Sequence, residues 1–142
     1  MAAAYIDSYY TRTANAGDTR PPLEGVARAD VCVVGGGLAG LSTALDLAER
    51  GRSVVLVEAH RVGWGASGRN GGFVSAGFSK SLRTLESRLG REHAQELYAL
   101  STDAVALMRR RMETYAIDCG PIIEGTIRAS WFDDPDSLKR ER

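Results

Sequence analysis

Residues 29–58, ADVCVVGGGLAGLSTALDLAERGRSVVLVE, constrain the fold of this chain more than any other stretch. ADVCVVG (29–35) is a continuous apolar run rich in valine, as expected of a parallel strand buried on both faces. In the segment that follows, Leu38, Leu41, Leu45 and Ala48 recur at helical spacing. Asp46, Glu49 and Arg50 fall on the polar side, and Gly51 supplies the stop after the last turn. RSVVLVE (52–58) reads as a second buried strand. Strand, helix and strand within roughly thirty residues make a β-α-β unit. Its two strands are then parallel and the class is α/β.

The turn between the first strand and the helix is Gly35-Gly36-Gly37-Leu38-Ala39-Gly40, a GxGxxG pattern. Glycines are common in this chain, so the pattern has weight only because a buried strand precedes it and an amphipathic helix follows. Each position then has a reason. Gly35 permits the tight turn, Gly37 lets backbone approach a pyrophosphate, and Gly40 allows helix and strand to pack closely. The helix N-terminus, with Leu38 and Ala39 in its first turn, offers unpaired N–H groups and a partial positive charge to phosphate. The second strand ends on Glu58, eighteen positions after Gly40, followed by Ala59. A carboxylate there accepts from a ribose 2′,3′-diol and repels a 2′-phosphate, which argues against NADP. These residues predict a Rossmann-type FAD/NAD(P)-binding βαβ unit and leave NAD and FAD both open.

The next segment bears on that choice. VGWGASGRNGG, Val62 to Gly72, holds five glycines in eleven residues. It lies in a glycine- and serine-rich loop running to about Gly77, where an NAD-binding unit proceeds promptly to another helix. A structureless loop of that length inside a compact domain is usually functional. FAD carries a ribityl chain and flavin ring beyond the pyrophosphate, and Gly65, Gly68, Gly71 and Gly72 permit close backbone contact with them. Ser67 can donate to a phosphate or ribityl oxygen. Arg69 can hold a fixed positive charge near the pyrophosphate or the flavin, where it favours the anionic reduced ring. The expected cofactor is FAD.

Residues 29–72, ADVCVVGGGLAG through GASGRNGG, resemble the start of the D-amino-acid oxidase-like (DAO) family of FAD-dependent oxidoreductases, and more closely its gamma-glutamylputrescine oxidoreductase branch. The leader segments SYYTRTAN and RPPLEG fit the same branch. The resemblance is strong over roughly 8–80 and weaker beyond. It implies that Gly35, Gly37, Gly40, Glu58, Ser67, Arg69, Asn70, Gly71 and Gly72 line the FAD site. Some members of the wider family attach FAD through a His in this loop. Here the loop holds none and Asn70 sits near that place, which speaks against covalent attachment. The resemblance further implies an N-terminal portion of a two-domain flavoprotein that oxidises the CH–NH bond of an amine or amino acid. Hydride passes to the flavin, the imine is hydrolysed, and oxygen is reduced to hydrogen peroxide. The rival readings are an NAD-dependent dehydrogenase and an inactive nucleotide-binding fragment.

The rest of the chain adds limits. With 18 basic and 18 acidic residues the net charge is zero, so no basic excess points to nucleic acid. Cys32 and Cys119 form no CxxC, and Cys32 is expected to be a small buried hydrophobe, in keeping with a reducing, cytoplasmic setting. No secretory signal or transmembrane run is visible. Residues 1–28 are expected to be an arm packing on the domain, with little regular structure, and 29–142 an incomplete FAD-binding domain. Two helices broken at Gly90 are expected over 84–117, and one or two short strands over 121–131. Asp134, Pro135 and Asp136 resemble a helix start close to the end of the sequence, which suggests a piece of a longer protein. His60, near Glu58, could touch the adenine edge or simply end a strand. Trp64 packs on cofactor or anchors the loop, while Trp131 and Phe132 suit an interface. His93 and Arg109–Arg111 read as solvated helix residues. No metal-ligand spacing and no nucleophile–base arrangement is apparent, so the catalytic residues remain unassigned.

Overall fold

The computed structural model describes residues 5–15, 20–127 and 136. The chain divides into two compact units, Met1–Phe73 and Val74–Arg142.

The first unit is built on the strand–helix–strand segment. Strand β1 (Val31–Val34) and strand β2 (Val54–Val57) pair in parallel, Val31 with Val54 through Val34 with Val57. Helix α2 (Leu38–Glu49) crosses between them, after a short leader helix α1 (Tyr9–Thr13). Both strands are shorter than expected, because Asp30 and Ser53 leave the ladder to bracket its start. Asp30 Oδ2 accepts from Ser53 N and Oγ, each at 2.9 Å, and Asp30 N donates back to Ser53 Oγ at 2.9 Å. These bonds hold the carboxyl of Asp30 below its ordinary range, the Ser53 amide being the larger cause. They also fix the register from which the glycine turn departs.

Helix α2 ends as its sequence predicts. Arg50 caps it, and Gly51 follows at φ +76° with its N–H on Ala48 O at 2.9 Å. Asp46 and Arg50 form an exposed i,i+4 ion pair at 2.8 Å. Burial on both faces of the sheet is not observed. Val33 faces α2, close to Gly40, whereas Cys32 and Val34 are exposed. Cys32 therefore does not lie in a core. It lines an open groove with Leu23, Ala29, Val55 and Val57, on the face of the sheet turned away from α2. Among the described residues of the arm, α1 is the one regular element, capped by Ser8, whose Oγ accepts from Thr11 N at 3.3 Å.

In the second unit, helix α3 (Leu82–Leu89) and helix α4 (Arg91–Thr114) meet at Gly90. Its φ of +82° and ψ of 159° suit glycine and interrupt the helix where the sequence predicts. Ser81 caps α3, and Ala94 of α4 is fully buried. The strands expected over 121–131 do not form within the described part: 117–127 carry no regular structure, and 128–131 lie outside the described residues. Trp131, Phe132, Asp134 and Pro135 also lie outside them. Arg109 and Glu124 pair at 2.6 Å across the irregular segment. Among the described residues no helix is long and apolar enough to cross a membrane.

Candidate functional site

The glycine turn is the centre of the first unit. Gly35 N donates to Val57 O at 2.7 Å, which carries the β ladder one residue past β1. Gly35 then turns at φ +105°. A Cβ on Gly40 would overlap the carbonyl oxygen of Gly35 and touch Val33, so the helix approaches the turn only because position 40 has no side chain. Leu41 N closes the first bond of α2 onto Gly37 O at 2.9 Å. The amides of the preceding positions fall outside the helical ladder.

One of those amides is taken up by the loop. Gly37 is the N-cap residue and has no side chain to cap with. Ser67 does so instead, its Oγ accepting from Leu38 N at 2.9 Å. A Cβ on Gly37 would stand 3.0 Å from that hydroxyl. Ala39 and Gly40 carry the remaining first-turn amides, the donors a helix start offers to an anion.

Glu58 leaves β2 pointing back at the turn. Its Oε2 accepts from Gly36 N at 2.6 Å and its Oε1 from His60 N at 3.0 Å. The Gly36 amide, then the His60 amide, lower its pKa from the ordinary value. A carboxylate has about four lone-pair sites, so these two bonds leave acceptor capacity for a diol. Ala59, beside it, is exposed.

The loop folds back on this framework. Gly63 N donates to Gly36 O at 2.9 Å. Ala66–Gly68 form one 3-10 turn carrying Ser67. Asn70 Nδ2 donates to Ser67 O at 2.8 Å and its Oδ1 accepts from Gly72 N at 2.9 Å, closing the far end. Gly72 needs its freedom at φ +71°, whereas a Cβ on Gly71 would press on the Phe73 ring at 2.9 Å. Arg69 donates from Nε to Trp64 O at 3.1 Å, and its guanidinium lies 5.6 Å from the Tyr5 ring and 5.9 Å from that of Trp64. His60 stacks on Trp64 at 4.6 Å. Trp64 thus anchors the loop.

All thirteen candidates named from the sequence (Gly35, Gly37, Leu38, Ala39, Gly40, Glu58, Ala59, Ser67, Gly68, Arg69, Asn70, Gly71 and Gly72) fall in this one unit. Leu38, Gly40, Glu58 and Ser67 are joined around the helix start by the contacts above, while Asn70–Gly72 lie at the far end of the loop. Two contributors escaped sequence reading. Gly36, buried, gives its N–H to Glu58. Tyr5 places Oη 3.1 Å from Gly63 O and 3.3 Å from Gly68 O; an aromatic residue in a polar leader was the one available signal.

The residues present fit an FAD nucleotide. The turn has no Cβ at Gly35, Gly36 and Gly37, the first-turn amides of Ala39 and Gly40 stand at the helix start, and an ionised acceptor lies at the end of β2. The fold and site define an α/β dinucleotide-binding class. Residues 30–142 match the DAO family, FAD dependent oxidoreductase, and the chain belongs to it. FAD is therefore the cofactor of the family, which decides between the two dinucleotides that the βαβ unit alone allows. Among its relatives, the probable oxidoreductase OrdL of Haemophilus influenzae is 40% identical and the gamma-glutamylputrescine oxidoreductase of Escherichia coli 42%. Each alignment covers 81% of this chain and 27% of the relative. The probable oxidoreductase OrdL of Rhizobium meliloti is 40% identical over 78% of this chain and 26% of its own length. The chain thus spans about a quarter of the length of these relatives. No solved structure matches it significantly.

Proposed function

We propose that this chain supplies the nucleotide-gripping part of an FAD-dependent amine oxidoreductase, with residues 29–142 belonging to the FAD-binding domain. The observation that carries this reading is the 2.9 Å bond from Leu38 N to Ser67 Oγ. It joins the glycine loop to the helix start, so turn and loop form one continuous backbone surface of the kind a flavin nucleotide needs. Ala39 and Gly40 present amides to the pyrophosphate, and Glu58 accepts from the adenosine ribose. Ser67 holds the loop in register and reaches a phosphate or ribityl oxygen. The backbone of Gly68, Gly71 and Gly72 follows the ribityl chain. Arg69, with Asn70 fixing the turn beside it, brings positive charge toward the flavin end.

The bound flavin supplies hydride acceptance. The whole protein then oxidises the CH–NH bond of an amine or amino acid, and the imine yields a carbonyl product with water. Oxygen, as acceptor, becomes hydrogen peroxide. The likeness to a gamma-glutamylputrescine oxidoreductase supports a substrate of that kind, and the proposed setting is the cytoplasm.

Titration of the chain with FAD, followed by quenching of flavin fluorescence, tests cofactor binding. Saturable binding that weakens at least tenfold in Glu58→Ala is expected, and a chain that binds NADH but not FAD refutes the reading. Peroxide release by the whole protein with gamma-glutamylputrescine tests the substrate class.

A further inference from the structure

We propose that Tyr5, on the N-terminal arm, is a positioning residue for the cofactor: it clamps the loop Gly63–Gly72 in the shape that meets the flavin nucleotide. This rests on the flavin reading above. A loop so rich in glycine loses more conformational entropy on ordering than any other composition, and it needs ties from outside itself.

Tyr5 supplies ties at both ends of the loop's tightest part. Its hydroxyl stands 3.1 Å from Gly63 O and 3.3 Å from Gly68 O, with one proton to share between them. Its ring tilts against Trp64 at 5.0 Å and lies under the guanidinium of Arg61 at 4.5 Å and that of Arg69 at 5.6 Å. Gly68 makes room for this: a Cβ there would run into both Gly63 O and the Tyr5 hydroxyl. The two neighbours of Gly68 are the side chains that matter. Ser67 caps Leu38 N, and Arg69 is held by Trp64 O. Holding Gly68 therefore sets the height of Ser67 over the helix start and the direction of Arg69. The phenol reaches the cofactor surface only through these residues.

The test compares the full chain with Tyr5→Phe, which removes the hydroxyl alone, and Tyr5→Leu, which also removes the ring. Hydrogen exchange of residues 63–72, the FAD dissociation constant and the unfolding midpoint are measured for each. In Tyr5→Phe, faster exchange confined to 63–72 and to the Leu38 amide that Ser67 caps, and FAD binding weakened about two- to tenfold, are expected, the range one hydrogen bond supports. Exchange in β1, β2 and α2 beyond the Leu38 amide stays unchanged. Tyr5→Leu shifts the same quantities further, and if it fails to fold, Tyr5→Phe still decides. Unchanged loop exchange overturns the proposal, as does loop exchange that rises in step with the whole βαβ unit. Faster loop exchange with unaltered FAD affinity overturns the cofactor role. If the unaltered chain binds no FAD, the flavin reading and the cofactor role fall together, while the exchange data still decide whether Tyr5 holds the loop.

Discussion

Both carboxylate oxygens of Glu58 accept backbone amides, from Gly36 and from His60. With its pKa lowered by these bonds, the ionised side chain favours the folded turn at neutral pH. That contribution is lost as pH falls through the folded-state pKa. The Gly36 amide resonance is expected to titrate with a midpoint below the ordinary glutamate value, and to lose that titration in Glu58→Gln. The acidic position was legible from its distance to the glycines. Its grip on Gly36 was not, because spacing does not say which lone pairs of a carboxylate are spent inside the protein. Gly40 was legible in full: the geometry that requires glycine is the close approach the motif implies. Gly40→Ala forces a Cβ onto the Gly35 carbonyl and is expected to cost about 1–3 kcal/mol in urea unfolding of the chain. Cys32 was misread, since a valine-rich run says that a strand is apolar but not which face its neighbours cover.

Helix α2 begins without a capping side chain of its own, and its cap arrives from a loop 29 positions away. Ser67→Ala removes that acceptor. A loss of about 0.5–2 kcal/mol, the usual cost of an N-cap, is expected by chemical denaturation, together with faster exchange at the Leu38 amide. No rule of local spacing could find this partner, because it depends on how the loop returns. Helices α2, α3 and α4 were legible from periodicity, and the break at Gly90 from composition, whereas the short α1 was not. Residues 121–127 misled for the opposite reason. The isoleucine pair Ile122-Ile123 carries β propensity but meets no partner strand among the described residues, and propensity without a ladder does not make a strand.

At the scale of the whole protein, amine oxidation is the proposed chemistry, and this chain spans about a quarter of the relatives' length. A hydride leaves the carbon beside an amine only when the nitrogen is neutral. If the proposed amine oxidation holds, the kcat/KM of the whole protein falls about tenfold per pH unit below the substrate amine's pKa; a flat pH–rate profile through that range overturns amine oxidation. The FAD cofactor was legible because the glycine turn and the loop after β2 lie in one local stretch of sequence. The amine itself leaves no comparable local signature. The Tyr5 contacts also bear on the order in which the molecule assembles. The register contacts of β1 and β2 join residues 23 positions apart, whereas Tyr5 reaches the loop across 58 and 63 positions. Closing the longer span costs more chain entropy and is repaid only once the sheet and helix exist. The Tyr5 contacts are therefore expected to form after the sheet and helix, which pulse-labelled hydrogen exchange of residues 63–72 during refolding checks.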